Sequence, residues 1–381
     1  MRPTSAVVDL AAVTANAAEL ARRSAPAELC AVVKADGYGH GSVAVGRAAL
    51  AGGATWLGVA LVEEGVELRE AGVTAPILLL SEPRPNEMVE VVAHDLRPSV
   101  YSPEGLAAAA AAAATAGRRL PVHLKIDTGM NRVGARPTDA LLLARAIAAK
   151  SDLQLEGVWT HCAVADELDN PFTEVQLERY EHVLRLLAAG DGVPGPLRRH
   201  AANSALLLSG CRPDVSPIRH RGRYDMVRAG IALYGLSPGA DLARDIEGLQ
   251  PVMGLRTEVA YVKTVQAGAA ISYGLTHRFD SDRQVATVPI GYADGARRDY
   301  GLRGGQVLIG GRRRSVVGMV TMDQLMVDCG PDGEVTAGDE VVLIGSQGDE
   351  SIAAEEVAAR LGTIPYEVVC DIGRRVRRHY R

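Results

Sequence analysis

Between residues 28 and 235, short apolar runs alternate with stretches whose apolar positions recur at helical spacing. The runs are Leu29–Val33, Leu57–Leu61, Ile77–Leu80, Arg97–Val100, Val122–Ile126, Leu155–Thr160, Arg198–Ala201 and Met226–Ala229. Helical patterns such as Ser42–Leu50, Glu104–Ala116 and Thr138–Ala149 separate most of them. Apolar strands alternating with helices predict a parallel sheet covered on both faces. Eight such units fit the size of a closed (β/α)8 barrel. After Leu236-Ser237-Pro238-Gly239 the pattern changes to β-rich segments split by glycine turns: Glu258–Thr264, Val285–Pro289, Val307–Ile309, Ser315–Val320 and Glu340–Ile344. Only Ser351–Leu361 reads clearly as a helix there, with Ser351 as N-cap and Gly362 as its stop. The expected fold class is α/β. A TIM-type barrel over residues 1–238 is followed by a mostly β C-terminal domain over 239–381.

A length of 381 residues suits one large domain and a smaller one. With 47% hydrophobic and 23% charged residues and a net charge of −5, nothing calls for a nucleic-acid or anionic-membrane partner. The longest bland run, Ala107 to Ala114, reads as a helix and is too short to span a bilayer. The opening MRPTSAVVDL has no extended apolar segment, so secretion is not expected. The five cysteines are scattered, with no C-x-x-C pair. They predict neither a disulfide framework nor a zinc site and point to a reducing cytoplasm. The nine histidines show no metal-ligand spacing, so no metal is expected.

Of 41 basic residues only four are lysine: Lys34, Lys125, Lys150 and Lys263. A chain that uses arginine almost everywhere draws attention to its lysines, because arginine does not deprotonate and cannot become a nucleophilic amine. A barrel places function at the C-terminal ends of its strands. Lys34 falls there in AVVKADGYGHG (31–41), Arg132 in VHLKIDTGMNRVG (122–134) and His161 in GVWTHCAVAD (157–166). Asn203 and Ser204 follow the seventh strand, and Arg228 and Gly230 close the eighth. An amine emerging from a buried strand loses solvation, which favours the neutral form a Schiff base requires. The bland alternative is a lysine snorkelling at a strand end. The glycines Gly37, Gly39 and Gly41 permit tight backbone near a ligand. Ser204 with the backbone of Gly230 and Ile231 matches a common barrel phosphate site. A lysine imine and a phosphate site in one barrel mouth suggest pyridoxal phosphate.

These segments resemble the alanine racemases, barrel-type (fold type III) pyridoxal-phosphate enzymes. The resemblance covers essentially the whole chain and recurs in AISYGLTHR (270–278), VPIGYADG (288–295) and GMVTMDQLMVD (318–328). It implies that Lys34 carries pyridoxal 5'-phosphate and that Lys34 and Tyr273 are the two proton-transfer bases. The phosphate would be held by Tyr38, Ser204, Tyr366 and the backbone at Gly230 and Ile231. Arg228 would face the pyridine nitrogen, and Arg132 the phenolic oxygen and substrate carboxylate. Tyr273, Met322 and Asp323 would come from the β domain of a partner in a homodimer. The resemblance further places His161 in the network that supports Tyr273 and Tyr292 near the substrate entryway. Lys125 aligns with a lysine often carbamylated in the family. Thr321, where cysteine is common, and Arg377, where proline is usual, are departures that touch no catalytic group.

The implied reaction is interconversion of L- and D-alanine. A racemase of serine or lysine, an amino-acid decarboxylase on the same scaffold and a non-catalytic pyridoxal-phosphate carrier are the alternatives. Arg228 weakens the decarboxylase, and the β domain with Tyr273 weakens the carrier. Gly190–Gly195 formally matches G-x-G-x-x-G but follows a helical stretch and is expected to be a loop. His200 is expected to pack or orient groups at the barrel mouth. The basic segment Arg374–Arg381 is expected to be solvated or interfacial.

Overall fold

The computed structural model describes residues 2–381 except Pro194 and Asp332; Pro194 of the glycine loop therefore lies outside the described residues. Two compact units emerge. The barrel unit comprises Ala11–Gly37 and Ser42–Gln250; the β unit comprises residues through Leu10, Tyr38–Gly41 and Pro251–Arg381.

The chain opens with a short strand, β1 (Ser5–Val8), that pairs within the β unit. The barrel strands follow as β2 (Glu28–Val32), β3 (Trp56–Val59), β4 (Ile77–Leu79), β5 (Arg97–Val100), β6 (Leu120–Lys125), β7 (Leu153–Trp159), β8 (Arg198–His200) and β9 (Met226–Ala229). They form one eight-stranded parallel sheet in the order β8-β7-β6-β5-β4-β3-β2-β9. All eight expected strands are present, shifted by two residues or fewer at each end. Two backbone bonds close the ring between its edges: Asp225 N–H to the Arg199 carbonyl (3.0 Å) and Arg228 N–H to the Ala202 carbonyl (2.9 Å). The weak apolar character of β8 and β9 reflects what they carry, namely polar side chains turned into the barrel.

One interior layer is apolar, with Cys30, Trp56, Leu78 and Met226 packed together. The alanine-rich helix spans Pro103–Ala116. Ser102 caps it by accepting from the Gly105 N–H, and Gly117 ends it at φ 60°, where a side chain would be strained. The glycine loop follows the helix Phe172–Ala189, as the sequence predicts. Among the described residues no helix is long and apolar enough to cross a membrane.

In the β unit, β10 (Met253–Glu258), β11 (Tyr261–Val265), β12 (Ala270–Ile271), β13 (His277–Arg278) and β14 (Arg283–Val288) are followed by β15 (Gln306–Ile309) and β16 (Arg312–Ser315). The remaining strands are β17 (Leu325–Gly330), β18 (Glu340–Gln347), β19 (Glu350–Ile352) and β20 (Arg377–Tyr380). The main sheet runs β16-β15-β18-β10-β1-β20, with β19 on β18; β11-β14-β17 and β12-β13 form two smaller sheets. Several expectations are corrected here. The strand expected over 258–264 breaks in two, since Val259 bonds the Asp339 carbonyl and Ala260 the Thr287 carbonyl, passing the chain from one sheet to another. Beyond Ser315 the chain makes only an isolated bridge at Val316. Ser351 pairs with Ser346 in β19, so the helix starts three residues later, at Ala354–Leu361, and a second helix, Pro365–Cys370, follows. The basic C-terminal segment is a strand beside β1. Within it, Arg378 donates to the carbonyls of Gly39, Ile372, Gly373 and Val376.

Tyr180 ties the helix Phe172–Ala189 to two barrel strands. Fully buried, it donates to the Val158 carbonyl (2.6 Å) and accepts from the His200 N–H (3.2 Å). Tyr180→Phe leaves both groups short of a partner and is expected to cost about 1–3 kcal/mol in urea unfolding. A change below about 0.5 kcal/mol, the size of an ordinary surface substitution, would contradict this.

Candidate active site

Val33 follows β2 and donates to the Gly58 carbonyl (2.8 Å), so the chain is still held by the barrel as it reaches Lys34. The backbone then makes one left-handed turn: φ is 52° at Ala35, 52° at Asp36, 61° at Gly37 and 52° at Tyr38. Each non-glycine residue in this region costs roughly 1–2 kcal/mol. Hydrogen bonds oppose that cost. Glu64 accepts the Ala35 N–H at 2.6 Å and the Ala60 and Leu61 N–H groups at 2.8 and 3.1 Å, while Asp36 accepts the Ser42 N–H at 3.0 Å. Strain maintained by surrounding structure is characteristic of functional sites. The glycines serve differently from expectation. A Cβ at Gly39 would collide with the Val369 carbonyl, and one at Gly41 with the Tyr380 hydroxyl, so these two make room for protein.

The barrel mouth gathers cations. Lys125, at the end of β6, is 3% exposed; its Nζ lies 4.3 Å from the centre of the Trp159 ring and 3.4 Å from the Leu80 carbonyl. Desolvation, and then the charges of Arg132, Arg228 and Lys34, pull its pKa down to about 7, against Asp127. Arg228 is equally buried and lies over the same ring at 4.5 Å. Its guanidinium donates to His200 Nδ1 (2.8 Å) and to the carbonyls of Thr160 (2.8 Å) and Ala201 (3.0 Å), with His161 Nδ1 at 3.4 Å. Burial lowers it to about 10, so it remains a cation at neutral pH. Desolvation and the charges of Arg228, Arg132, Lys125 and Lys34 hold His161 well below the usual histidine value. Lys150 and Lys263 are exposed on the surface.

Beside the cations is a small polar nest. Ser204 is buried, and its Oγ accepts from the N–H groups of Gly230 (2.9 Å) and Ala232 (3.3 Å), which flank buried Ile231. Asn203 caps the following turn by accepting from the Leu206 N–H (2.9 Å). The excess of cations, the nest and an amine at a strand end fit an anionic, phosphate-bearing aldehyde.

The β unit holds the other candidates. The rings of Tyr38 and Tyr366 lie 6.1 Å apart. Tyr273 is 67% exposed on a turn where Ser272 (φ 63°), Gly274 (φ 76°) and Leu275 (φ 49°) all have positive φ, held by the Ser272 hydroxyl on the Met319 carbonyl (2.6 Å). Tyr292 and Met322 are also large and exposed, and Asp323 pairs with Arg375 at 2.7 Å. Inspection of the motifs alone passes over Glu64, which shapes the lysine turn, and Trp159, on which both cations lie. Strand alternation was the available signal for Trp159, which shares a face with Gly157 and His161 in the 157–166 segment.

A family model for the alanine racemase N-terminal domain matches residues 8–238, and one for the C-terminal domain matches 252–380. The chain belongs to the alanine racemase family. It is 50% identical over 380 residues to the alanine racemase of Symbiobacterium thermophilum, covering 100% of this chain and 97% of that one. Among solved structures, the alanine racemase of D-cycloserine-producing Streptomyces lavendulae superimposes with a TM-score of 0.92 at 40% identity, covering 100% and 97% of the two chains. That of Bacillus anthracis, solved with bound L-Ala-P, gives 0.90 at 38% identity, covering 100% and 95%. The enzyme is thus an isomerase built on a barrel and a β unit.

Lys125 makes stability depend on pH. The unfolded chain keeps its proton up to the ordinary value of 10.5, the folded enzyme only to about 7. Below pH 7 both states are charged and the full burial cost applies; between these values it fades as pH rises, and above 10.5 it is absent. Relative to wild type, Lys125→Met is expected to be more stable at pH 6 by on the order of a few kcal/mol, with the gap closing towards pH 10. Denaturant unfolding at several pH values measures it. A gap independent of pH would contradict the buried-amine assignment.

Proposed function

We propose that the enzyme interconverts L- and D-alanine with pyridoxal 5'-phosphate joined to Lys34. The observation that carries this reading is the cluster of Lys34, Lys125, Arg132 and Arg228 beside the Ser204 nest, a set of donors and cations suited to an anionic aldehyde and a carboxylate substrate. When bound, the cofactor supplies an electron sink that makes the Cα proton of an amino acid removable near neutral pH.

Racemisation takes a proton from one face of Cα and returns one to the other. Lys34 handles the face of the D-antipode and Tyr273 that of the L-antipode. Arg228 would face the ring nitrogen and, being itself a cation, would disfavour its protonation, which would limit side reactions such as transamination. Arg132 binds the substrate carboxylate. Ser204, Tyr38, Tyr366 and the backbone at Gly230 and Ile231 hold the phosphate. Lys125, half neutral near pH 7, meets the requirement for carbamylation, and the resulting anion would sit beside Arg132.

Tyr273 acts across a homodimer, the β unit of one copy completing the barrel site of the other. Its exposure, with that of Leu275 (63%), Met322 (52%) and Tyr292 (43%), supports this, because large apolar side chains exposed on one unit mark an interaction surface. Met322 through its backbone, together with Asp323 and Tyr292, lines the substrate side, and His161 and Asn203 support the mouth.

Purified enzyme supplied with the cofactor is expected to racemise L-alanine in preference to L-serine and L-lysine, measured by chiral chromatography. A preference for either of the others would overturn the substrate assignment. Arg228→Glu is expected to lower racemisation and to raise the share of transamination product; an unchanged product ratio would contradict the role given to Arg228.

A further inference from the structure

Three polar side chains that this chemistry leaves unused, one part-buried and two fully buried, lead across the barrel to Arg228. Glu156 stands on β7, His123 on β6, and His200 ends β8. Glu156 Oε2 lies 3.1 Å from His123 Nε2, His123 Nδ1 lies 2.9 Å from His200 Nε2, and His200 Nδ1 lies 2.8 Å from Arg228 Nη1. Both imidazoles are completely buried.

The donors and acceptors fix the proton positions. A guanidinium only donates, so His200 Nδ1 accepts and its proton sits on Nε2. That N–H leaves His123 Nδ1 as an acceptor, with its own proton on Nε2. A carboxylate only accepts, and Glu156 accepts the hydrogen bond from that Nε2–H. Both ends of the chain therefore impose the same direction. Burial and the Arg228 charge hold His200 well below the usual histidine value, and burial likewise lowers His123 against the pull of Glu156. Burial raises Glu156, but the His123 bond, Arg97 (3.5 Å) and Arg198 (3.8 Å) outweigh it and keep the carboxyl ionised.

The surroundings are shaped to the rings. Trp159 stacks on His200 with an interplanar angle of 8° and is itself anchored by its Nε1–H on Ser99 Oγ (3.1 Å). At Gly157 a Cβ would stand 2.5 Å from His123 Nδ1, so only glycine leaves space for that ring. Around Arg228 the hydrogen-bond acceptors are two carbonyls and two imidazoles, all neutral. The negative charge that answers this cation along the chain is Glu156, two imidazoles away.

We propose that Glu156, His123 and His200 are positioning residues for the racemase reaction: a one-way hydrogen-bond relay that fixes His200 as an acceptor and holds Arg228 as a charged donor at the barrel mouth. A carboxylate that sets the tautomer of a histidine is an established catalytic device; here two histidines carry the effect through the barrel. The proposal rests on the reading of Arg228 given above.

Nitrogen-15 spectra of the imidazoles in cofactor-free protein test it directly. Both His123 and His200 should carry their proton on Nε2, with a bare Nδ1, and both should titrate below the usual histidine value. A proton on His200 Nδ1, or an imidazolium signal from either ring, would overturn the relay. In the holoenzyme, Glu156→Gln removes the charge and Gly157→Ala displaces the His123 ring. Each is expected to lower kcat about tenfold, the usual order for losing an outer supporting partner, with little change in KM and a shifted absorption band of the bound cofactor. Unchanged kcat and band in both variants would overturn the proposal. Should either variant fail to fold, the wild-type nitrogen spectra still decide. Failure of the Arg228 reading would show separately, as an unchanged product ratio in Arg228→Glu while the nitrogen spectra keep their direction.

Discussion

Positive charge gathered where water is scarce governs this structure. Lys34, Arg132 and Arg228 all lie within electrostatic reach of Lys125 and of His161 at the barrel mouth, with Asp127 the one opposing carboxylate among the influences on Lys125. Bringing like charges together in a desolvated place is unfavourable, and the molecule answers in two ways. The lysine amine of Lys125 gives up proton affinity, while Arg228, which cannot give up enough, is surrounded by carbonyls and imidazoles. A site left in that condition is complementary to a phosphate and a carboxylate before either arrives.

The scaffold exists to hold that arrangement. Parallel strands end in loops on one face, so β2, β6, β7, β8 and β9 deliver their polar residues to the same region. Closing the ring by two backbone bonds between the ends of β8 and β9 fixes His200, Ser204 and Arg228 relative to one another. The lysine turn is strained, and Glu64 and Asp36 hold it by accepting backbone N–H groups. On the β unit, a second strained turn presents Tyr273 to solvent.

Much of the fold was legible because buried parallel strands read as apolar runs whatever their neighbours are. Lys34 drew attention for a different reason: in a chain so rich in arginine, a lysine at a strand end stands out. The β unit was harder. Whether the chain from Glu258 to Tyr261 continues a strand or changes sheets depends on Asp339 and Thr287, which local pattern cannot supply. Ser351 has the chemistry of an N-cap, yet pairing with Ser346 takes it into a strand. The line from Glu156 to Arg228 was invisible in the same way, since its members lie on four different strands and no spacing along the chain joins them. Two members gave a hint: His200, expected to pack or orient groups at the barrel mouth, and His123, a polar residue sharing one face of β6 with Lys125.

The central claim is that Lys34, through its amine, is the residue that would hold the cofactor. Borohydride reduction of the holoenzyme, followed by peptide mass mapping, tests it most directly. The account predicts one stable pyridoxyl-phosphate adduct, on the peptide that contains Lys34. An adduct on Lys125 or any other residue, or none at all in active enzyme, would contradict it.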